Sequence, residues 1–457
     1  MACAPKPALA VVCAAAAAFF VPARPVLANG AFPDSLQVLL PADRPQQIIF
    51  STNFGLIISD DGGLTWSWTC EQANTSLANL YQVGPPPSDT LYAIALSGFA
   101  YSTDGACTWQ VAGGAIARTI VTDSFVDPTN PSRVLAVGVP REGSNAAYEV
   151  YASDDGGRSF GAPIYTAPAQ GGLLGVEIAR SDPKVVYLAM YETIGIQPRL
   201  VRSTDGGTTW EPPLDIQPML GSNWYRIVAV DPSNPARIFF RVSEQAGDRL
   251  ALTEDGGQTF TKPVLFKDRM TAFALLGSGT ILVSGSTEGH PDGFRSTDGG
   301  KTFTSWANVP DIRAMAERDG KLFVVGDNFR DGFALAVSTD EGTTLQPLTT
   351  FDKVTSIRAC TQAICVESCD MLAGLKLWPP ETCGPAVRDG RTDASDGAPG
   401  ASDGSSDASA PRAGGGSGCG CGLVDARAAA AGAALAVVLL ARRLLAGASR
   451  RRNARGR

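Results

Sequence analysis

Along most of the chain, short runs of β-branched, aromatic and aliphatic residues alternate with clusters of Gly, Pro, Asn and Asp. This is the pattern of an all-β protein with many tight turns. In one unit, RIVAV at 226–230 predicts a strand, DPSNP at 231–235 a turn, and residues 238–242 a second strand. Related turns stand at 41–45 (PADRP), 127–131 (DPTNP) and 181–183 (SDP). No stretch is read as helical by periodicity before the extreme C terminus.

A phrase of the form S-x-D-x-G-x-T-W punctuates this pattern seven times, at 59–66, 102–109, 153–160, 203–210, 253–260, 296–303 and 338–345, with starts 42 to 51 residues apart. A period in this range matches one four-stranded sheet with its connections, and an array of such sheets closes into a propeller. The phrase reads as a strand-to-strand turn. Its carboxylate bonds nearby amides, its glycines take positive φ, and its closing Trp, Phe or Leu packs into the seam between sheets. The aspartates Asp61, Asp104, Asp155, Asp205, Asp255, Asp298 and Asp340 are therefore read as structural. A catalytic or calcium-binding role would not need seven copies on different sheets. The last two copies depart most, with Phe303 and Leu345 at the Trp position and Glu341 replacing a glycine.

These residues resemble the Asp-box, or BNR repeat, of sialidases, sortilin-type receptors, xyloglucan hydrolases and photosystem II assembly-factor-like propellers. The resemblance covers residues 32 to about 350. It implies a seven-bladed β-propeller, with the box joining the third and fourth strands on the outer part of each blade, away from the channel where ligands bind. After the seventh box, VTSIRAC (354–360), AICVESC (363–369) and LAGLKLW (372–378) read as three more strands. They are expected to form a disulfide-pinned cap or, with residues 31–36, an eighth blade; an eight-bladed ring is the alternative.

The ends carry other signals. Residues 1–28 have a basic start, a short apolar run and a small-residue cleavage site, which predicts a signal peptide and a mature chain starting near Asn29. The propeller is expected over 29–383. Residues 384–418 are Gly, Ser, Asp, Ala and Pro with almost no large apolar side chains, and read as a disordered tether. GCGCG at 418–422, an apolar segment at about 428–441 and an arginine cluster follow. This tail resembles the MYXO-CTERM sorting signal of myxobacterial surface proteins. By that resemblance a sorting protease would cleave near Cys419 or Cys421 and leave the protein on the cell surface; a plain membrane anchor is the alternative. Either reading puts the chain outside the cytoplasm, at the surface or outer membrane of a Gram-negative cell, held at least transiently by the tail helix, whose arginines mark its cytoplasmic end.

Six cysteines remain for the propeller: Cys70, Cys107, Cys360, Cys365, Cys369 and Cys383. An even number in an exported domain suggests disulfides, with Cys70 expected to pair with Cys107 and the other four to staple the segment after blade 7. A zinc site using the C-x3-C pair Cys365 and Cys369 is the disfavoured alternative. Lys6, Arg24 and the tail arginines lie outside the propeller, so that domain is more acidic than the whole chain's formal charge of −7, which excludes a nucleic-acid partner. The single histidine, His290, leaves no basis for a Ser-His-Asp triad or a multi-histidine metal site. No cofactor or metal is implied.

Arginine recurs at the head of predicted inner strands, at Arg118, Arg226, Arg313 and Arg358, and Glu177 takes the corresponding place in blade 4. These five are the ligand-binding candidates, and Glu177 is the one weak catalytic candidate. The Arg-Ile-Pro motif and Tyr/Glu pair of sialidases are absent. The expectation is a binding or scaffold propeller for an extracellular glycan or protein, with a sialidase-like or xyloglucanase-like glycoside hydrolase as the alternative; hydrolysis would require two carboxylates facing each other at the channel.

Overall fold

The computed structural model describes residues 33–384, apart from 74–77, 89, 96–97, 142–146, 170, 193–196, 223 and 288–289. The leader, nearly all of the tether, the apolar tail, Cys419 and Cys421 lie outside the described residues. Among the described residues, no helix is long and apolar enough to cross a membrane.

Seven four-stranded antiparallel sheets follow one another in chain order and form a seven-bladed propeller. Their first strands are Ser35–Leu39, Ala78–Val83, Thr119–Val126, Gly172–Ile178, Trp224–Val230, Arg269–Leu275 and Ala314–Arg318. These are the inner strands. Neighbours meet around the bore, as Thr119–Val126 does with Gly172–Ile178, and Ala314–Arg318 does with Ser35–Leu39. Large side chains from successive blades close the seams. Leu39, Ile49, Leu56 and Ile58 of blade 1 pack on Tyr81, Leu91, Ala93 and Trp109 of blade 2. Phe239 and Leu250 of blade 5 pack on Met270, Ile281 and Val283 of blade 6.

The seven repeated phrases form the turns between third and fourth strands, and their hydrogen bonds explain their spelling. In the first, Ser59 Oγ donates to Asp61 Oδ1 and accepts the Gly63 amide, each at 2.8 Å. Asp61 Oδ1 accepts the amides of Leu64 and Thr65, and Oδ2 accepts the Thr65 hydroxyl at 2.6 Å. The other six repeat the Ser or Thr bonds and the two bonds from the residue four after the Asp, and four of them also the amide three after it. Two variations occur: the hydroxyls of Thr208 and Thr343 donate to the carbonyls of Asp205 and Asp340. Both glycine positions have positive φ, and at two sites another residue takes that conformation: Ala106 (φ 71°) and Glu341 (φ 55°). The left-handed region costs a non-glycine residue about 1 kcal/mol. Glu341 offsets this by ties to blade 6: Arg295 donates to its carbonyl and carboxylate, and Thr280 Oγ1 donates to the carboxylate at 2.9 Å.

Each box carboxylate is held well below the usual range. In Asp61, Asp205, Asp255 and Asp340 the pKa falls to about 2, caused first by the hydroxyl of the Thr four residues on, then by amide and hydroxyl donors in the same turn. Because the folded-state value lies below the unfolded one, the stabilisation is complete above about pH 4 and is lost as pH falls toward 2. Urea midpoints measured between pH 5 and pH 2.5 are expected to drop steeply over that window; a level profile would contradict this account of the turns.

The segment after blade 7 corrects two expectations. Of the three expected strands only Ser356–Ile357 forms, running parallel to Ser67–Cys70 as a fifth strand on the outer edge of blade 1. Gln362–Gly374 is an α-helix. Its buried face is Cys365, Cys369 and Leu372, spaced i, i+4, i+7, which is helical periodicity that a strand reading overlooks. Trp378 then packs at a tilt against Trp68, with ring centroids 5.0 Å apart, and edge-on against Phe54. The segment is thus a strap over blade 1 and not an eighth blade.

All six expected cysteines form disulfides, but the Cys70–Cys107 pairing is overturned. The bridges are Cys70–Cys365, Cys107–Cys360 and Cys369–Cys383. The helix seats Cys365 against Cys70 at the end of the fourth strand of blade 1, while the strap's approach brings Cys360 to Cys107 in the blade 2 turn.

Candidate functional site

Polar side chains, most of them on inner strands, tie neighbouring blades together through the backbone. Gln37 of blade 1 accepts the Tyr81 amide (2.9 Å), and Gln82 of blade 2 donates to the Ser124 carbonyl of blade 3. Asp123 of blade 3 accepts the Val176 amide of blade 4 (3.0 Å), and Arg226 of blade 5 donates back to the Leu174 carbonyl (3.0 Å). Asp248 of blade 5 accepts the Met270 amide of blade 6, and Glu317 of blade 7 accepts the Gly277 amide of blade 6. These bonds form a polar girdle at the bore.

Two carboxyls meet in this girdle. Burial lifts Asp123 to about 6, against the opposing effects of amide donors and Arg226. Burial lifts Glu177 well above the carboxylate range, and the nearby Asp123 charge adds to the rise. Both residues are half-buried. Their situations differ: Asp123 is committed to the Val176 amide, whereas Glu177 has no hydrogen-bond partner among the described residues. Each acid is thus pushed toward its neutral form, and two charges side by side are disfavoured.

The other candidates separate. Arg118 ends a short 3-10 turn, Ala115–Arg118, at the head of the blade 3 inner strand and is exposed without a side-chain partner among the described residues. Arg226 lies beside the acid pair, so Asp123, Glu177 and Arg226 are brought together. Arg313 is drawn into ring closure. It contacts Asp34 Oδ2 (3.1 Å), Asp311 Oδ1 (2.6 Å) and Asp327 Oδ2 (3.8 Å), joining blade 7 to the start of blade 1. Arg358 lies off the bore: it follows the fifth strand on the outer edge of blade 1 and pairs with Asp60 at 2.9 Å. The seven box aspartates are spent on their turns.

Replacing Arg313 with Ala leaves the buried Asp311 with only Arg330, 3.7 Å away. The expected cost is about 2 kcal/mol, reduced from a fully buried pair because the guanidinium is partly hydrated. Guanidinium denaturation measures it, and a loss under about 0.5 kcal/mol would remove Arg313 from ring closure.

Three residues at the bore escaped the sequence reading: Asp123, Trp224 and Arg269. A carboxylate inside the run TIVTDSFV was a usable signal for Asp123. Arg269 heads the blade 6 inner strand as Arg118 and Arg226 do in theirs, and is exposed. Trp224 opens the blade 5 inner strand with its side chain 48% exposed, an unusual cost for an indole. Two clefts lie elsewhere, at the seams of blades 6–7 (about 450 Å³) and 7–1 (about 320 Å³); each is lined by a single carboxylate, Asp331 or Asp319. Neither offers an acid pair.

The protein is a seven-bladed β-propeller. No family model matches the sequence, and no curated protein matches it. Among solved structures, an ancestral GH74 enzyme aligns with a TM-score of 0.51 at 14% identity, over 69% of this chain and 46% of that one. The GH74 xyloglucanase from Xanthomonas campestris aligns at 0.38 and 13% identity, over 69% and 58%. YCF48 from Cyanidioschyzon merolae aligns at 0.42 and 14% identity, over 64% and 93%. The chain spans about half the length of the first of these enzymes. Likeness at such identities concerns the fold alone.

Proposed function

We propose that this chain is an exported, surface-displayed propeller of the Asp-box type that binds an extracellular glycan or protein at the mouth of its bore. The observation that carries the binding reading is the commitment of Asp123. Its carboxylate accepts the Val176 amide and holds blade 3 to blade 4, so one of the two acids that meet at the bore serves the ring. A glycosidase needs both of its carboxyls free to face each other across the substrate. The unpartnered Glu177 carboxyl, favoured in its protonated form, can both donate to and accept from a ligand hydroxyl. Export is supported by the leader at 1–28 and by the three disulfides, which accord with an oxidising compartment. Surface retention rests on the tail at 419–457 and its resemblance to a sorting signal, with Cys419 or Cys421 near the processing point.

The second reading, a glycoside hydrolase, draws on the presence of the Asp123–Glu177 pair. The full chain applied together to glycan arrays and to chromogenic glycoside and β-glucan substrates separates the two. Binding without turnover is the expected outcome. Turnover abolished by Glu177→Gln would make the protein a hydrolase.

A further inference from the structure

The inner strands of blades 3, 5 and 6 present an unspent set of side chains at one mouth of the bore. On blade 3, Arg118, Ile120 and Thr122 are exposed while Thr119 and Val121 between them are buried. On blade 5, Trp224 and Arg226 are exposed around the buried Tyr225. Arg269 opens blade 6 in the same way. Between them the blade 4 strand begins with Gly172, where a Cβ would lie 2.1 Å from the Tyr191 ring, so the tyrosine takes the place of a side chain there. Tyr191 itself lies beside Trp224, with ring centroids 6.1 Å apart. The rim of blades 4 and 5 therefore carries an exposed indole backed by a tyrosine ring.

Charge sharpens the picture. The described domain is acidic overall, yet Arg118 and Arg269 have no acidic partner among the described residues, and Arg226 uses one nitrogen on the Leu174 carbonyl. Unpaired cations on an acidic body mark a place for an anion. They stand on three different blades along the rim and do not converge on one point, which suits a ligand carrying charge at intervals. Deeper in the bore, the Asp123 carboxylate opposes the entry of an anion, so such a ligand would lie across the mouth.

We infer that the mouth binds an acidic polysaccharide built of uronic acids, with one sugar ring stacked on Trp224 and carboxylates of neighbouring sugars on Arg118, Arg226 and Arg269. This rests on the binding reading above and names its ligand class. A uronate holds its carboxylate at the ring edge and leaves a bare pyranose face, which together match an exposed indole and planar guanidinium forks. An acidic peptide would satisfy the arginines but gives the exposed indole no pyranose face to stack on.

The test is isothermal titration of the full chain in detergent with polygalacturonate, dextran, dextran sulfate and polyglutamate, at low and at 0.5 M salt. Polygalacturonate is expected to bind and to weaken at least tenfold in high salt. Trp224→Ala is expected to weaken it about tenfold, and Arg118→Glu with Arg269→Glu by more, with unchanged melting temperatures because none of the three bonds to the girdle. Trp224-dependent binding of dextran at equal strength, or preferential binding of dextran sulfate or polyglutamate, would overturn the uronate assignment and leave the binding function standing. Unchanged affinity in both variants would move the site off the mouth and overturn the proposal. Failure of every polymer here, together with blank glycan arrays, would sink the glycan branch of the broader reading as well.

Discussion

Removing both long-range disulfides is expected to cost more than about 6 kcal/mol, the largest loss available from a pair of local changes. Cys70–Cys365 and Cys107–Cys360 span 295 and 253 residues of sequence, and both fasten the strap to the first two blades. Each backs up the other. With one bridge intact, the second closes a loop of only roughly 40 residues, for which chain entropy gives about 4 kcal/mol as an upper figure. Serine at either pair of positions should therefore lower stability by about 3 kcal/mol. Serine at all four positions releases the full ring closure and exceeds the sum of the single-bridge losses. Guanidinium denaturation of the three variants reads this directly; losses that simply add would show that the bridges act independently. Hydrogen exchange offers a second reading, since the strap helix should lose protection before the blade 4 and 5 strands do.

The second large effect concerns the acid pair. Asp123 and Glu177 have folded-state pKa values above those of an unfolded chain, so the native state holds their protons more tightly. Stability from this source is greatest below about pH 4 and declines as pH rises through about 6 for Asp123, and further still for Glu177. The sign is opposite to that of the box aspartates. Asp123→Asn combined with Glu177→Gln keeps an acceptor for the Val176 amide and removes both titrations. At pH 8 this variant is expected to be about 3 kcal/mol more stable than the natural chain, allowing for partial hydration, and about equal to it at pH 4. Equal stability at both pH values would mean that the two carboxyls are fully solvated.

The repeated phrase made the blades legible because every letter of it is consumed within its own turn: Ser59, Asp61, Gly63 and Thr65 bond one another over a few residues. Interactions that depend on chain return were not legible. Nothing local to Cys70 distinguishes Cys365 from Cys107, and the strap's helix hid in a segment whose Cys, Ile and Val content favours strands. Arg358 resembled Arg313 in its flanking residues, SIRAC beside DIRAMA, yet no second strand follows it to make a blade. At the bore, Arg118, Glu177 and Arg226 were found because they head or punctuate inner strands. Asp123 and Trp224 were missed because their significance lies in a neighbour's amide and in a neighbour's tyrosine ring, both on another blade.

The three bridges also set a route for mechanical load. A pull applied at Gly384 passes from Cys383 to Cys369, along the helix to Cys365, and across to Cys70 at the end of blade 1. Tension between that point and the chain's start therefore runs through blade 1 alone. The residues from 71 to 364, which include the other six blades and most of the bore, stand outside the line of force. A propeller stapled in this way can be tugged from its ends while its ligand-facing mouth stays slack.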